Sequence, residues 1–341
     1  MLKILTEING VSGNEKSVSD FILSQVRIYC DETIVDSMGN LIFHKKGKKD
    51  SDKKIAVFAH MDEVGLIVTD ITEDGYIKFA PVGGIDDRIL LAKRVFLCRS
   101  GIEGVIGIKA VHLQSKEERQ KVISYEDMYI DIGAKDKDDA LNYVKKGDYI
   151  AFKSKYERLY DRRFKGKAVD DRAGCAIMME LMKDKYDADL YFCFTVQEET
   201  GLRGAKVLSK RIDPDVAIIL EATTASDVAF SKRNLYGTHL GKGPVITLMD
   251  RGSYSDIEFR KFITGIADAR EIKYQYKLTS NGGNDAREIQ TGASGCKVCS
   301  ISLPCRYIHS PNCVFDGGDY DEMKRLARAV INQIEDFSCD V

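Results

Sequence analysis

The sequence IAVFAHMD, residues 55–62, carries the strongest structural signal in this chain. Its apolar run, residues 55–59, has the length and composition of a strand that is buried on both faces. The run is followed by His60 and, two residues later, by Asp62. If the strand continues, these two side chains project to the same face. The Asp62 carboxylate can then accept the second N–H of the His60 imidazole and fix its tautomer.

Two further buried runs are followed by an acidic residue. Glu199 follows the apolar run 191–196 in TVQEETG, and Glu221 follows the run 216–220 in AIILEATTASD. In open α/β sheets the ligand crevice lies outside the carboxyl ends of such strands. We therefore expect both glutamates to converge with His60. Imidazole and carboxylate together suit divalent ions such as zinc, cobalt or manganese.

The Glu198-Glu199 pair offers two roles within one segment. Neighbouring residues of an extended chain point to different sides, so one carboxylate is predicted to bind metal while the other faces the substrate. Further candidate ligands are Asp170 in AVDDRAG and His309 in RYIHSP. Two ions need about five ligands if one carboxylate bridges them, which leaves coordination positions open for water and substrate.

Each element also has an interpretation without metal. A histidine after a strand is more often a core residue than a ligand, and an acidic pair at a strand end is usually a solvated turn. Asp170 could simply begin a helix, because an Asp there satisfies free N–H groups. His309 before Ser-Pro is uninformative by itself. All of these elements occurring together, in this order, favours a metal site.

The motifs FAHMDEVG, AVDDRAG, VQEETGLRGA and RYIHSP, with their order and spacing, resemble those of the M42 metalloaminopeptidases, which include the tetrahedral (TET) aminopeptidases. The resemblance runs from SGNE, residues 12–15, to IHSPNCVFDGGDY, residues 308–320, and so covers nearly the whole chain. It implies a zinc-peptidase-like α/β fold, in which helices flank a mixed sheet and a small β-barrel domain is inserted.

The resemblance also implies roles for the candidate residues. Five of them would bind two ions, with one carboxylate shared: His60, Asp170 and Glu221 for one ion, and Asp170, Glu199 and His309 for the other. Glu198 would be the general base, and Asp62 would hold His60. A cis peptide bond between Asp170 and Asp171 is implied as well.

Two positions depart from the commoner family pattern. Glu221 stands where the family more often has Asp, and Asn284 in GGNDA stands where Thr is more usual. A glutamate reaches further than an aspartate, and a displacement of about 1 Å can cost around a hundredfold in rate. We expect the strand that carries Glu221 to have moved back to compensate.

Residues 66–157 differ from the rest of the chain. Short β-rich runs between Gly and Asp turns predict a small barrel or sandwich there, with one brief helix at 138–144. Elsewhere helices and buried strands alternate, as in βαβ units. We predict a discontinuous catalytic α/β domain, residues 1–65 and 158–341, and an inserted β-rich domain, residues 66–157. The family resemblance associates this insert with subunit assembly.

Composition limits the partners. With 341 residues and 44% hydrophobic residues, the chain can bury a full core. A net charge of -2 without a basic stripe argues against nucleic acid as a partner. The sequence has no apolar segment long enough to predict a membrane span or a secretory signal. Its nine scattered cysteines fit reduced thiols, so we expect a cytoplasmic protein. Cys296 and Cys299 form a CxxC without a second pair, and Cys299 is predicted to lie in a buried strand.

These observations predict a dinuclear metal-dependent aminopeptidase that removes N-terminal residues from short peptides, with zinc or cobalt, or else manganese, as the two ions. The resemblance implies homo-oligomers, from dimers to dodecamers. A metal-dependent deacylase, a carboxypeptidase-like amidohydrolase, an endoglucanase and a non-catalytic assembly protein stay open as alternatives. Neither the preferred first residue nor the physiological metal follows from the sequence.

Overall fold

A computed structural model describes residues 1–49, 52–229 and 237–338. Its strands form one mixed sheet of 11 strands and a separate closed barrel. The strands are β1 (Glu32–Val35), β2 (Leu41–Lys45), β3 (Ile55–His60), β4 (Gly65–Ile71), β5 (Ile77–Val82), β6 (Arg94–Leu97), β7 (Glu103–Gly107), β8 (Tyr129–Asp131), β9 (Tyr149–Phe152), β10 (Glu157–Arg158), β11 (Arg163–Gly166), β12 (Leu190–Thr195), β13 (Val216–Thr224), β14 (Val245–Thr247), β15 (Gln275–Lys277), β16 (Lys297–Arg306) and β17 (Cys313–Asp316). The α-helices are α1 (Leu2–Glu7), α2 (Lys16–Val26), α3 (Lys116–Gln120), α4 (Lys137–Leu141), α5 (Val169–Leu181), α6 (Arg203–Ile212), α7 (Ile257–Ala269), α8 (Ala286–Gln290) and α9 (Gly317–Gln333).

The large sheet has the order β1-β2-β12-β3-β13-β16-β17-β11-β10, with β14 and β15 attached beside β16. Strands β12, β3, β13 and β16 are parallel neighbours, so their carboxyl ends lie along one edge. All six residues of β3 are buried. Helices α1, α2, α5, α7 and α9 pack on one face of the sheet, and α6 and α8 pack on the other. Burial on both faces explains why these strands read as continuous apolar runs.

The helices follow the apolar spacing of the sequence. Val18, Ile22 and Val26 of α2 recur every four residues and are buried on one face. Asp316 caps α9, because its carboxylate accepts the N–H groups of Gly318 and Asp319. No helix in the described ranges is both long enough and apolar enough to cross a membrane.

The barrel lies between β3 and β10 in the chain. Its six strands close in the order β4-β5-β8-β7-β6-β9 and enclose a core of their own, which includes Leu66, Ile77 and Val95. Closure decides the alternative between barrel and sandwich, and the predicted fold class is confirmed. The brief helix predicted at 138–144 is α4, and Cys299 lies in β16 as predicted.

The predicted domain boundaries lie close to changes in strand pairing. Barrel pairing begins at Gly65, and Glu157 pairs with Lys165 in the large sheet. Gly65 lies one position before the predicted insert, residues 66–157, and Glu157 is the last residue of that insert. The division into two domains at these boundaries stays a prediction.

Candidate metal centre

The candidate ligands meet at the carboxyl edge of the large sheet. His60 is the last residue of β3, beside Thr195 at the end of β12. Glu199 lies four residues beyond the end of β12, and Glu221 lies inside β13. The expectation that a strand ends at each ligand is therefore correct only for His60. The expected convergence of the three side chains is observed.

One group of side chains forms around His60. Its Nε2 lies 3.0 Å from Oδ1 of Asp170 and 3.4 Å from Oε1 of Glu221. The ligand atoms of these three residues all lie within 4.8 Å of one another, and His60 is almost fully buried. Oε1 of Glu221 also accepts the N–H of Ala222 at 2.9 Å. This bond ties the carboxylate oxygen that faces His60 to the backbone of its own strand.

A second group forms around His309. Its Nε2 lies 3.3 Å from Oδ2 of Asp170 and 3.3 Å from Oε2 of Glu199. The two oxygens of Asp170 thus face different histidines. Nδ1 of His309 lies 2.9 Å from the carbonyl oxygen of Gly84, which follows β5 of the barrel. Because a carbonyl only accepts, Nδ1 carries a proton, which leaves Nε2 as the ring nitrogen that can bind a cation.

The Asp170-Asp171 pair lies in the first turn of α5, and its two residues differ in role. The peptide bond between them is cis, as the family resemblance predicted. Asp171 is buried and accepts the N–H of Gly174 at 2.9 Å, which is the helix-start contact considered for this segment. Asp170 instead faces His60 and His309. The helix-start interpretation therefore holds for Asp171, and the position expected of a metal ligand holds for Asp170.

Asp62 holds the segment that carries the two glutamates. Its fully buried carboxylate accepts the N–H of Glu198 at 3.0 Å and that of Glu199 at 3.1 Å. It also lies 3.4 Å from Nδ1 of His60, longer than a normal hydrogen bond. The prediction that Glu198 and Glu199 point to different sides is wrong, since their carboxylates and His60 all approach within 4.8 Å. The chain turns at Gln197, whose φ is 55°, and Glu198 and Glu199 lie in a bend and a turn, so the pair is not extended.

The carboxylates of the site repel one another. Burial and then the charge of Asp170 raise the pKa of Glu199 to about 8, and the same two effects raise that of Glu221 to about 8. Burial, together with the charges of Glu221 and Glu199, raises the pKa of Glu198 well above its ordinary value. Burial alone would lower the pKa of His60, but Glu221 and Asp170 outweigh it and raise that pKa.

This electrostatic arrangement fits a bound cation. Among the described residues, Asp170, Glu199 and Glu221 form ion-pair contacts with histidines but with no lysine or arginine. A divalent ion would replace the repulsion between buried carboxylates by attraction. The donor set of imidazole nitrogens and carboxylate oxygens suits zinc, cobalt or manganese.

A second buried group of charges lies beside the site and was not predicted. We call the residues Glu63, Lys167 and Arg172 the paired cluster. Nζ of Lys167 donates to both oxygens of Glu63, at 2.6 and 2.8 Å. Arg172 donates through Nε to the carbonyl of Met61 at 2.7 Å. Single charged residues next to the motifs carry no sequence signal for such pairing, because charged residues are usually exposed.

A cavity of about 390 Å³ opens in front of the candidate metal centre. Part of its wall is the segment 277–284, of which sequence analysis singled out only Asn284. Nδ2 of Asn284 donates to Oγ of Ser300 at 3.2 Å, and its Oδ1 accepts the N–H of Ala286 at 3.0 Å. Asn284 therefore shapes the start of α8. Lys277, which also lines the cavity, was missed.

Comparison with known proteins agrees with this geometry. A family profile described as M42 glutamyl aminopeptidase matches residues 39–326. The lysyl aminopeptidase of Pyrococcus furiosus is 33% identical over 344 residues, covering 98% of this chain and 97% of that protein. Aminopeptidase APDkam598 from the archaeon Desulfurococcus kamchatkensis has a similar structure, with a TM-score of 0.93, 36% identity and coverage of 97% of this chain and 93% of that one. The TET1 peptidase of Pyrococcus horikoshii, which is described as assembling into a tetrahedron or a large octahedral shell, gives a TM-score of 0.85 at 33% identity, covering 97% and 98%. The chain therefore belongs to the M42 peptidase family and is a metal-dependent aminopeptidase.

Proposed function

We propose that this aminopeptidase works with two divalent ions, zinc or cobalt or else manganese, held by five side chains. Asp170 contributes to both sites, and the remaining ligands are His60 and Glu221 on one side and Glu199 and His309 on the other. The observation that carries the proposal is the position of Asp170, whose two oxygens lie 3.0 Å from His60 and 3.3 Å from His309. A carboxylate placed in this way can bridge two ions.

The residues around the ligands set their orientation. Asp62 holds the Glu198-Glu199 segment through two backbone hydrogen bonds and lies behind His60. The carbonyl of Gly84 fixes the tautomer of His309. Such contacts with ligands typically change metal affinity or activity by about 10-fold to 100-fold when they are removed.

Glu198 is the proposed general base. When bound, the ions would polarise the scissile carbonyl and lower the pKa of the attacking water. Glu198 lines the cavity, and one of its oxygens lies within 4.8 Å of ligand atoms of His60 and Glu199, but it is not one of the five proposed ligands. Its carboxylate would accept the proton of the attacking water and deliver it to the leaving amine.

Substrates and assembly follow from the relatives. We propose short peptides with a free N-terminus as substrates, and a homo-oligomer, from dimer to dodecamer, as the working form. One relative is named a lysyl aminopeptidase and the family profile a glutamyl aminopeptidase, so membership alone leaves the first residue open. The cytoplasmic location and the absence of a nucleic-acid partner stay predictions.

The test combines metal analysis with a substrate panel. Purified protein should bind close to two ions per chain, lose activity to a chelator and regain it with zinc, cobalt or manganese. Peptides with free N-termini should be cleaved, whereas N-acetylated peptides should not. Cleavage of the acetylated peptides alone would indicate a deacylase, and cleavage at the C-terminus a carboxypeptidase-like enzyme. Activity on cellulose that survives metal removal would indicate an endoglucanase. A metal-replete protein inert toward every substrate would favour a non-catalytic protein.

A further inference from the structure

The cavity in front of the metal centre has one cationic side chain of the lysine or arginine type among its described lining residues, Lys277. It is the last residue of β15 and is half-buried. A β-carbon built on Gly282 would lie 3.9 Å from Nζ of Lys277, so the ammonium lies against another residue of the cavity wall. We propose that Lys277 binds the side-chain carboxylate of an acidic first residue, so that the enzyme preferentially removes N-terminal glutamate or aspartate.

The ammonium of Lys277 has donors available for a ligand. Within the described part of the chain it forms no hydrogen bond or ion pair; its interactions are the attractions of Asp250 and Glu221, which raise its pKa against the larger lowering effect of burial. Asp250 forms no ion pair with Lys277 among the described residues: its Oδ1 accepts the N–H groups of Gly252 at 2.8 Å and Ser253 at 2.7 Å, and its buried Oδ2 has no hydrogen-bond partner. An ammonium carries three donors and no acceptor, and withdrawing it partly from water without a partner costs free energy. A substrate carboxylate would supply that partner.

The charge balance of the cavity favours the same substrate class, and this step rests on the proposed two-ion function. The described lining residues include four carboxylates, those of Asp170, Glu198, Glu199 and Glu221. Two divalent ions would balance four negative charges, which leaves the positive charge of Lys277 in excess. An acidic side chain would neutralise it, whereas a basic side chain would be repelled.

The test measures kcat/KM of the metal-loaded enzyme for the p-nitroanilides of glutamate, glutamine, leucine and lysine. We expect glutamate to exceed its neutral isostere glutamine by about tenfold to a hundredfold, as for a charged hydrogen bond. Lys277→Met should bring this ratio close to one, and Lys277→Glu should make the lysyl substrate better than the glutamyl one. Lys210→Met, at an exposed lysine near the end of α6, should leave activity and ratio unchanged. Equal rates for glutamate and glutamine in the native enzyme would overturn the proposal.

Two further measurements distinguish binding of an acidic first side chain by Lys277 from other roles of this lysine. Lys277 could instead hold the terminal carboxylate of a dipeptide; variants that weaken only dipeptides and leave the glutamate to glutamine ratio of the anilides intact would overturn the assignment. Calorimetry of free L-glutamate and L-glutamine with the metal-loaded protein keeps the test independent of turnover. If glutamate binds more tightly than glutamine and Lys277→Met abolishes the difference, the result would support the proposal. It would do so even if every anilide were inert, because inert anilides would refute only the aminopeptidase function. Equal affinities would contradict it.

Discussion

The candidate metal centre and the paired cluster of Glu63, Lys167 and Arg172 are both buried, and the chain builds them from neighbouring residues. Asp62 belongs to one and Glu63 to the other, while Lys167 lies three positions before Asp170. In the paired cluster, the Glu63 carboxylate accepts hydrogen bonds from the Lys167 ammonium and from the N–H of Gly10, the latter at 2.9 Å.

In the described part of the chain, no lysine or arginine forms an ion pair with a carboxylate of the metal centre. Its carboxylates face two imidazoles and one another, and burial with mutual repulsion raises the pKa of Glu199 and of Glu221 to about 8. The difference teaches that burial alone does not mark a functional site. A buried cluster whose carboxylate is paired with cationic side chains contributes to the native structure, whereas one whose carboxylates lack such partners requires protons or a cation.

We expect the largest effect from a substitution that breaks the paired cluster. Lys167→Met leaves the Glu63 carboxylate buried without its ammonium, and removing one partner of such a pair costs about 3–5 kcal/mol of the free energy of unfolding. Urea denaturation measures it. The matched control is Lys165→Met, because Lys165 pairs at 2.8 Å with Glu157, whose side chain is 54% exposed. Such exposed pairs contribute about 1 kcal/mol or less. Equal losses in the two variants would contradict the distinction between the clusters.

The next effect tests the division of roles between the two glutamates. Glu198→Gln removes the proposed base while sparing the ligands, so we expect turnover to fall by about a hundredfold or more. Metal content, measured by elemental analysis, should stay. Glu199→Gln is the comparison variant and should lose an ion. If Glu198→Gln loses metal and Glu199→Gln keeps it, the two roles are reversed.

A smaller effect is expected at Glu221. Its Oε1 lies 3.4 Å from Nε2 of His60 and accepts the N–H of Ala222. Glu221→Asp draws the carboxylate back, and we expect metal affinity to fall about tenfold, or about 1.4 kcal/mol. Competition with a coloured chelator measures it, and Glu180→Asp on α5 is the control. Equal affinity in native and variant protein would show that this position does not control the site.

The pH dependence of the metal-free protein tests the repulsion between the carboxylates directly. Glu199 and Glu221 have a pKa of about 8 when folded, against about 4.3 in an unfolded chain. Between these two pH values the folded state therefore binds more protons than the unfolded chain. The stability that the two protonated carboxyl groups contribute is fully present below about pH 4, and it is lost as the pH rises through 8. The raised pKa of His309, about 10, acts in the same direction.

Melting temperatures of chelated protein at several pH values check this sign. They should fall by several degrees between about pH 5 and pH 8, and the double variant Glu199→Gln, Glu221→Gln should show a weaker slope. Added metal should reverse the trend, because protons and cations compete for the same carboxylates. A metal-free protein that gains stability over this range would contradict the electrostatic account of the site.

Much of the fold and of the site could be predicted because the relevant signals are local. Apolar runs such as residues 55–59 are continuous because helices cover both faces of the sheet, and the short runs of residues 66–157 alternate with turns because the barrel is small. The parallel order of β12, β3 and β13 places their ends at one edge, so His60, Glu199 and Glu221 had to converge.

The sequence by itself determined which residue types meet at this edge, because strand burial and ligand chemistry are written in neighbouring positions. Only the tertiary structure decided how they meet. The turn at Gln197 brings both glutamates to the same site, and the barrel supplies the Gly84 carbonyl to His309 across 225 positions. Whether a buried charge is paired, as in Lys167, or free to meet a ligand, as in Lys277, depends on contacts between distant segments. Local patterns carry no record of such contacts, since packing and not spacing sets them.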